Sequence, residues 1–106
     1  MVKQLSASDV SARLKQGEDL LVLDVREPGE ISIAALAGTT HIPMNAIPMR
    51  AEELPKDKDI VVMCHHGMRS MQVALYLERL GFDKLYNLRG GIDAWSREVD
   101  STIPTY

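Results

Sequence analysis

The chain has 106 residues, of which 45% are hydrophobic and 25% charged, and its formal net charge is -3 at pH 7. This length and composition predict one globular domain over residues 1–106. The weak negative charge argues against nucleic acid and anionic membranes as partners, because both select basic surfaces. No apolar run approaches the roughly 20 residues of a membrane span, and the first residues lack a signal peptide's apolar core. The single cysteine, Cys64, excludes an internal disulfide, so we expect a cytoplasmic protein.

The first half of the chain alternates helical and extended patterns. Ser6 or Ser8 is well placed to cap the first helix, which Gly17 would end. The apolar run Leu20–Val25 is typical of a strand buried on both faces. Pro28 favours a helix start, because its fixed backbone angle suits the first turn. In chain order, the predicted elements are helix Asp9–Lys15, strand Leu20–Val25, a short helix from Pro28, strand Thr39–Ile42 and one or two helical turns at Arg50–Leu54.

The second half of the chain shows the same alternation more clearly. A second buried strand is expected at Ile60–Met63, followed by a helix over Ser70–Leu80 that Gly81 ends. Strand Lys84–Leu88 and helix Ile92–Glu98 follow. Strands that alternate with helices predict an α/β domain whose parallel sheet is covered by helices on both faces.

The segment from Cys64 to Ser70 connects a strand to a helix, which is where ligands bind in parallel α/β domains. The first N–H groups of a helix have no partners within it and carry partial positive charge. Gly67 allows the loop to curl so that more N–H groups point inward, and Arg69 adds a fixed cation. Both effects favour the thiolate of Cys64 and predict a pKa below the ordinary value of about 8.5.

The same residues also have simpler interpretations. A lone cysteine after an apolar strand is commonly a small buried hydrophobe, but the strand-to-helix position, Gly67 and Arg69 favour a nucleophile. His65 and His66 suggest zinc by residue type. Adjacent residues rarely bind one metal together, however, and the other ligands are missing at suitable spacing, so no metal site is predicted.

Three motifs resemble the signatures of the rhodanese family, in the family's order and spacing and over nearly the whole chain. They are Asp24-Val-Arg-Glu27 with Glu30, Cys64-His-His-Gly-Met-Arg-Ser70 and Leu88-Arg-Gly-Gly-Ile-Asp-Ala-Trp95. The resemblance implies a three-layer α/β/α domain with a five-stranded, mainly parallel sheet. It also implies that Cys64 carries a persulfide, that Arg69 is the second catalytic residue, and that no cofactor takes part. The implied substrate-binding loop consists of His65, His66, Gly67, Met68 and Ser70.

One motif of the family is altered in this chain. Members commonly carry Gly-His-Ile-Pro-Gly-Ala after the first signature, and counting from Glu30 places that motif at residues 34–39. Its histidine is then replaced by Ala35, so the nearby His41 inherits no role. We interpret the missing histidine as structural, because the inward N–H groups do not require it.

The remaining signature residues have structural interpretations. Asp24, Arg26 and Glu27 are expected to hold the loop through a carboxylate–guanidinium pair. The Gly90-Gly91 pair is expected to form a turn, with Trp95 packed beneath it.

The resemblance implies a double displacement reaction. The thiolate of Cys64 takes the outer sulfur of a donor such as thiosulfate or a persulfide, and passes it to cyanide or a thiol. The implied partners are this small sulfur donor and a sulfur-carrier protein or a cysteine desulfurase. Two other functions stay open. Phosphatases and arsenate reductases of the same architecture have a loop one residue longer than the segment between Cys64 and Arg69, and non-catalytic interaction modules commonly lose the cysteine.

Overall fold

The computed structural model describes all residues from Met1 to Tyr106 and contains five strands and five α-helices. The strands are β1 (Lys3–Leu5), β2 (Leu20–Asp24), β3 (Thr40–His41), β4 (Asp59–Met63) and β5 (Leu85–Leu88). The helices are α1 (Ala7–Lys15), α2 (Pro28–Ile33), α3 (Ile47–Arg50), α4 (Met68–Arg79) and α5 (Gly91–Glu98). Short 3-10 turns at Met44–Ala46 and Ala51–Glu53 flank α3. None of the helices has both the length and the apolar content that crossing a membrane requires.

All five strands belong to one sheet in the order β1-β5-β4-β2-β3, and every pairing is parallel. The prediction of an α/β domain with a five-stranded, mainly parallel sheet is therefore confirmed. In the register of the central strand β4, Val62 is aligned with Leu23 of β2 and with Asn87 of β5. The residue pattern does not predict β1, because Lys3–Leu5 is a short and partly polar strand at the sheet edge.

Helices cover both faces of the sheet and complete the three layers that the resemblance implies. On one face, Val10 of α1 and Trp95 of α5 share a buried cluster with Val61. On the other face, Ile47 of α3 lies in a second cluster with Val62 and with buried residues of α4. Val61 and Val62 enter opposite clusters because successive side chains of a strand point to opposite faces. Burial on both faces explains the apolar sequence of β4.

Four helices begin earlier than predicted: α1 at Ala7, α5 at Gly91, and α3 and α4 as follows. Helix α4 begins at Met68 rather than at Ser70, because Gly67 is the N-cap in a left-handed conformation with φ of 104°. The helical turns predicted at Arg50–Leu54 begin earlier, at Ile47. The earlier start of α4 places two more residues of the Cys64 loop on a rigid element.

Of the two serines considered as caps, Ser6 is the N-cap of α1. The N–H of Asp9 donates to the Ser6 hydroxyl oxygen over 3.0 Å, and the N–H of Ser6 donates to the Asp9 carboxylate over 3.3 Å. This reciprocal capping box satisfies two N–H groups and fixes the start of the helix at Ala7.

The carboxyl ends of β2, β4 and β5 lie side by side at one edge of the sheet. Three loops leave the sheet there: residues 25–27 after β2, residues 64–67 after β4 and residues 89–90 after β5. The three sequence motifs are thus brought together by the parallel topology, since parallel strands end at the same edge.

Candidate active site

The loop after β4 is held against α5 by hydrogen bonds to the loop's carbonyl groups. The N–H of Ile92 donates to the Cys64 carbonyl oxygen over 2.9 Å, and the N–H of Asp93 donates to the His65 carbonyl oxygen over 3.1 Å. Both donors belong to the first turn of α5, where N–H groups have no partner within the helix. In a trans peptide, the C=O of one residue points away from the N–H of the next. The N–H groups of His65 and His66 therefore face inward.

Two glycines make this close arrangement sterically possible. Gly67 has φ of 104°, and its carbonyl oxygen accepts a hydrogen bond from Asn87 Nδ2 over 3.1 Å. Gly91 has φ of 62°, and a Cβ atom there would lie 2.5 Å from the Cys64 carbonyl oxygen and in contact with His65. A side chain at Gly91 would therefore separate the loop from α5. The sequence predicts only a turn at Gly91, and the structure adds this contact.

Cys64 lies at the centre of the curled loop and is only 1% exposed. Its Sγ accepts a hydrogen bond from the N–H of Gly67 over 3.1 Å and lies 3.3 Å from Ser70 Oγ. Burial by itself would raise the pKa of the thiol, but hydrogen bonds from Ser70 and from the N–H groups of Gly67 and His66 lower it below its ordinary value. These contacts add stability that is complete above the pKa of unfolded cysteine, about 8.5, and is lost as the pH falls through the lower folded-state pKa.

Ser70 and Asn87 connect the loop to the sheet. Asn87 is buried, and its Nδ2 donates to the Gly67 carbonyl oxygen and, over 3.0 Å, to Gln4 Oε1 of β1. These bonds direct its Oδ1 toward Ser70, whose hydroxyl donates to it. A hydroxyl has one proton, so Ser70 can donate to Asn87 or to the thiolate of Cys64 but not to both. The N–H groups, which have no competing acceptor, are therefore the constant part of the thiolate's stabilisation.

The guanidinium group of Arg69 faces Glu30, a contact that the sequence does not predict. Its Nη1 and Nη2 donate to the two carboxylate oxygens of Glu30 over 2.6 and 2.8 Å. The hydrogen bonds from Arg69 lower the pKa of Glu30 to about 2. Attraction to the Cys64 thiolate also raises the pKa of Arg69, but the hydrogen bond to Glu30 is the larger cause. Hydrogen bonds from Ser70 and the loop, more than this cation, therefore favour the thiolate.

Glu30 belongs to a wider polar network that ends in a buried ion pair. Tyr106 Oη donates to Glu30 Oε2 over 2.8 Å and accepts from Arg26 Nη1 over 3.0 Å. Arg26 in turn contacts the Asp24 carboxylate over 2.7 Å, and both of these side chains are at most 1% exposed. His41 Nε2 lies 2.7 Å from the Arg26 carbonyl oxygen and so supports the same loop. The Asp24–Arg26 pair holds the segment that carries Glu30.

The two loop histidines lie on the side of Tyr106 and Asp93. The His65 ring stacks on the Tyr106 ring at 3.8 Å, and burial together with the neighbouring His66 lowers the pKa of His65. Ligand atoms of His65, His66 and Asp93 lie within 4.8 Å of one another. Asp93 also pairs with Arg97 over 3.0 Å, which competes with any cation at this position. Met68, the fifth residue of the predicted loop, is 78% exposed.

Four residues with clear roles at this site are absent from the predicted site: Glu30, Asn87, Asp93 and Tyr106. Glu30 and Asp93 lie within the recognised motifs, but nothing in their spacing indicates contact with Arg69 or with the histidines. Tyr106 stands eight residues beyond the last helix and has no periodic pattern around it. Contacts of this kind depend on the tertiary fold.

Replacing Ser70 with alanine should raise the pKa of Cys64 only part of the way to the ordinary value, because the loop N–H groups remain. Arg69→Ala should raise it less, since Glu30 already offsets the guanidinium charge. The rate of alkylation by iodoacetamide as a function of pH measures both shifts, with Ser8→Ala on the exposed start of α1 as the matched control. A larger shift in Arg69→Ala than in Ser70→Ala would contradict this ranking.

The fold and the loop together define an α/β protein with a buried cysteine in a strand-to-helix loop whose N–H groups face its sulfur. A model of the rhodanese-like domain matches residues 6–98, and the chain belongs to this family. It is 42% identical over 97 residues to a sulfurtransferase of Allochromatium vinosum, covering 92% of this chain and 91% of that protein. It is 32% identical to thiosulfate sulfurtransferase GlpE of Tolumonas auensis, covering 80% of each.

A solved structure agrees with this assignment. The crystal structure of a rhodanese-related protein from Thermoplasma volcanium has a TM-score of 0.83 and 32% identity, covering 92% of this chain and 93% of the other. Family membership and the sulfurtransferase relatives support sulfurtransferase activity in this chain.

Proposed function

We propose that this protein transfers sulfane sulfur from thiosulfate or a persulfide to a thiol or cyanide through a persulfide on Cys64. The observation that carries the proposal is the position of the Cys64 sulfur, which is buried in a loop whose N–H groups face it, with Gly67 N at 3.1 Å. An anion bound among several N–H groups gains charge-assisted hydrogen bonds without needing a metal or cofactor.

The loading step is a displacement at sulfur. The thiolate of Cys64 attacks the outer sulfur of thiosulfate, a new S–S bond forms, and the old one breaks with its electron pair leaving on sulfite. The products are the Cys64 persulfide anion and the sulfite dianion, so atoms and charge balance. The inward N–H groups of His66 and Gly67 stabilise the anionic outer sulfur.

In the unloading step, the Cys64 sulfur is the leaving group, whereas in the loading step it is the nucleophile. A thiolate or cyanide attacks the outer sulfur, the persulfide bond breaks, and its electron pair returns to Cys64 as the thiolate. The low pKa of Cys64 suits this step, because a stabilised thiolate is a better leaving group. A sulfur-carrier protein is a suitable acceptor and a cysteine desulfurase a suitable donor, and the relative named thiosulfate sulfurtransferase supports thiosulfate as one small donor.

The length of the loop supports sulfur transfer over phosphate hydrolysis. Four residues separate Cys64 from Arg69. A shorter ring of N–H groups encloses a smaller space, which suits one sulfur atom better than a tetrahedral oxyanion. The retained Cys64 likewise favours an enzyme over a non-catalytic interaction module.

Incubation with thiosulfate or cysteamine persulfide, followed by desalting, should increase the intact mass by one sulfur atom. Cyanide should remove the added sulfur, and Cys64→Ser should neither load nor transfer sulfur, because the nucleophile is lost. Intact mass spectrometry measures loading, and an aryl phosphate assayed in parallel should show no hydrolysis that depends on Cys64. An unchanged mass with every donor would rule out the carrier function, and phosphate turnover that needs Cys64 would favour a phosphatase.

A further inference from the structure

Tyr106 lies beside the loop after β4, although it stands eight residues beyond the last helix. Residues 6–98 match the family model, so this tyrosine lies outside the part of the chain that the family describes. The segment that carries it folds back after α5. Ser96 of α5 donates its hydroxyl to the Ile103 carbonyl oxygen, and Ile103 and Tyr106 both pack against the buried cluster of α1 and α5. The fold therefore fixes the position of Tyr106.

The ring of Tyr106 supports one side of the loop. It lies almost parallel to the His65 ring, with 6° between the ring planes and 3.8 Å between the centroids. Since the buried His65 Nε2 has no hydrogen-bond partner, stacking on Tyr106 and His66 fixes this ring more than hydrogen bonding does. The carbonyl oxygen of His65 accepts from the N–H of Asp93. His65 is therefore held both at its ring and at its carbonyl group.

These two contacts determine the direction of a loop N–H group. The C=O of His65 and the N–H of His66 belong to one trans peptide and point in opposite directions. With the carbonyl group directed toward α5, the His66 N–H faces the Cys64 sulfur and helps to lower the pKa of the thiol. Without the stacked ring, a single hydrogen bond from Asp93 would hold this peptide, and one bond permits more rotation than two contacts do.

The hydroxyl of Tyr106 contacts a second loop, the one after β2. It accepts from Arg26 Nη1 over 3.0 Å and donates to Glu30 Oε2 over 2.8 Å. Glu30 also binds both terminal nitrogens of Arg69. One side chain thus contacts the loop after β4 through its ring and the residues that follow β2 through its hydroxyl.

We propose that Tyr106 is a positioning residue for sulfur transfer by Cys64. Its ring holds the His65 peptide so that the loop N–H groups face the sulfur, and its hydroxyl orients Glu30. This inference rests on the proposed function and adds a residue to its site. The two contacts belong to different parts of the side chain, so two substitutions separate them. Tyr106→Phe keeps the stacked ring and removes the hydroxyl, whereas Tyr106→Leu removes both.

Tyr86 provides the matched control. It is also a partly buried tyrosine that packs against the cluster of α1 and α5, and its ring lies 5.2 Å from Arg13 Cζ. In the sheet it is aligned with Val61 rather than with the loop. Tyr86→Phe and Tyr86→Leu therefore make the same chemical changes away from the site. For each variant, the pH dependence of alkylation by iodoacetamide gives the pKa of Cys64, and thiocyanate formation from thiosulfate and cyanide gives kcat/KM. Thermal unfolding verifies that each variant is folded.

In Tyr106→Leu, kcat/KM for thiosulfate should fall about tenfold, less than the loss of an N–H donor itself would cost. The pKa of Cys64 should rise toward its ordinary value in this variant, because the His66 N–H is no longer aimed at the sulfur. In Tyr106→Phe, the retained ring should keep the pKa of Cys64 at the wild-type value. Its kcat/KM should fall only about threefold, through the loss of one hydrogen bond to Glu30. Both Tyr86 variants should stay within about twofold of the wild type.

Equal kcat/KM or equal Cys64 pKa values in Tyr106→Leu and Tyr86→Leu would overturn the inference, because the tyrosine would then be merely structural. A pKa that rises as much in Tyr106→Phe as in Tyr106→Leu would also overturn it, since the hydroxyl rather than the ring would hold the loop. If Tyr106→Leu does not fold, Tyr106→Phe decides against Tyr86→Phe, and an unchanged kcat/KM overturns the inference. A wild type that fails to load sulfur on Cys64 would instead reject the proposed function itself, so the two failures are distinguishable.

Discussion

Replacing Gly91 with alanine is expected to lower the free energy of unfolding by about 3 kcal/mol and to slow the sulfur loading of Cys64 in the protein that remains folded. Two effects add. Gly91 has φ of 62°, a conformation that costs other residues roughly 1–2 kcal/mol. A Cβ atom there would also lie 2.5 Å from the Cys64 carbonyl oxygen, so the loop must move away from α5. That movement breaks the Ile92 and Asp93 hydrogen bonds that turn the loop's N–H groups inward.

Two other glycines separate these effects. Gly38 also has a positive φ, of 78°, but a Cβ there would meet nothing within 4 Å, so Gly38→Ala should cost roughly 1–2 kcal/mol and leave loading unchanged. Gly29 lies in α2 with ordinary backbone angles and open space around it, so Gly29→Ala should be neutral or slightly stabilising. Denaturant unfolding and the rate of sulfur loading measure the three variants. A Gly91→Ala protein that loads like Gly38→Ala would refute the role of the loop contact.

Replacing Arg26 with methionine is expected to lower the free energy of unfolding by about 3–5 kcal/mol, because it leaves the Asp24 carboxylate buried without its partner. Asp24 is 1% exposed and Arg26 is 0% exposed, so water cannot take the place of the lost contact. Arg26 also binds Tyr106, so the network that positions Glu30 should loosen as well. Chemical denaturation of wild type and variant gives the energy difference directly.

A double variant identifies the cause of that loss. Asp24→Asn combined with Arg26→Met removes the buried charge but keeps an oxygen that accepts the N–H of residue 26, so it should be more stable than Arg26→Met alone. Arg50→Gln, which breaks an exposed pair with Glu53, should leave the unfolding midpoint unchanged. If the double variant were no more stable than Arg26→Met, the unpaired carboxylate would not be the source of the loss.

Much of the architecture follows from local patterns in the sequence. The apolar run Ile60–Met63 predicts the central strand, because a strand buried on both faces must be apolar on both sides. Gly67 predicts the curl of the loop, because few other residues adopt a positive φ. The edge strand β1 is not predicted by its local sequence, because Lys3–Leu5 is extended through its pairing with β5 rather than through the preferences of its own residues.

By itself the sequence determined the alternation of strands and helices, the place of Cys64 at a strand-to-helix turn and the presence of a cation, Arg69, five residues later. These features depend on interactions over a few residues, which a linear pattern records. Only the tertiary structure decided what the cation binds. Glu30 lies 39 residues from Arg69 in the chain, and parallel packing of β2 beside β4 brings the two together. An ion pair forms where the fold places two charges at hydrogen-bond distance, so no spacing in the sequence could assign Arg69 to Glu30 rather than to the thiolate.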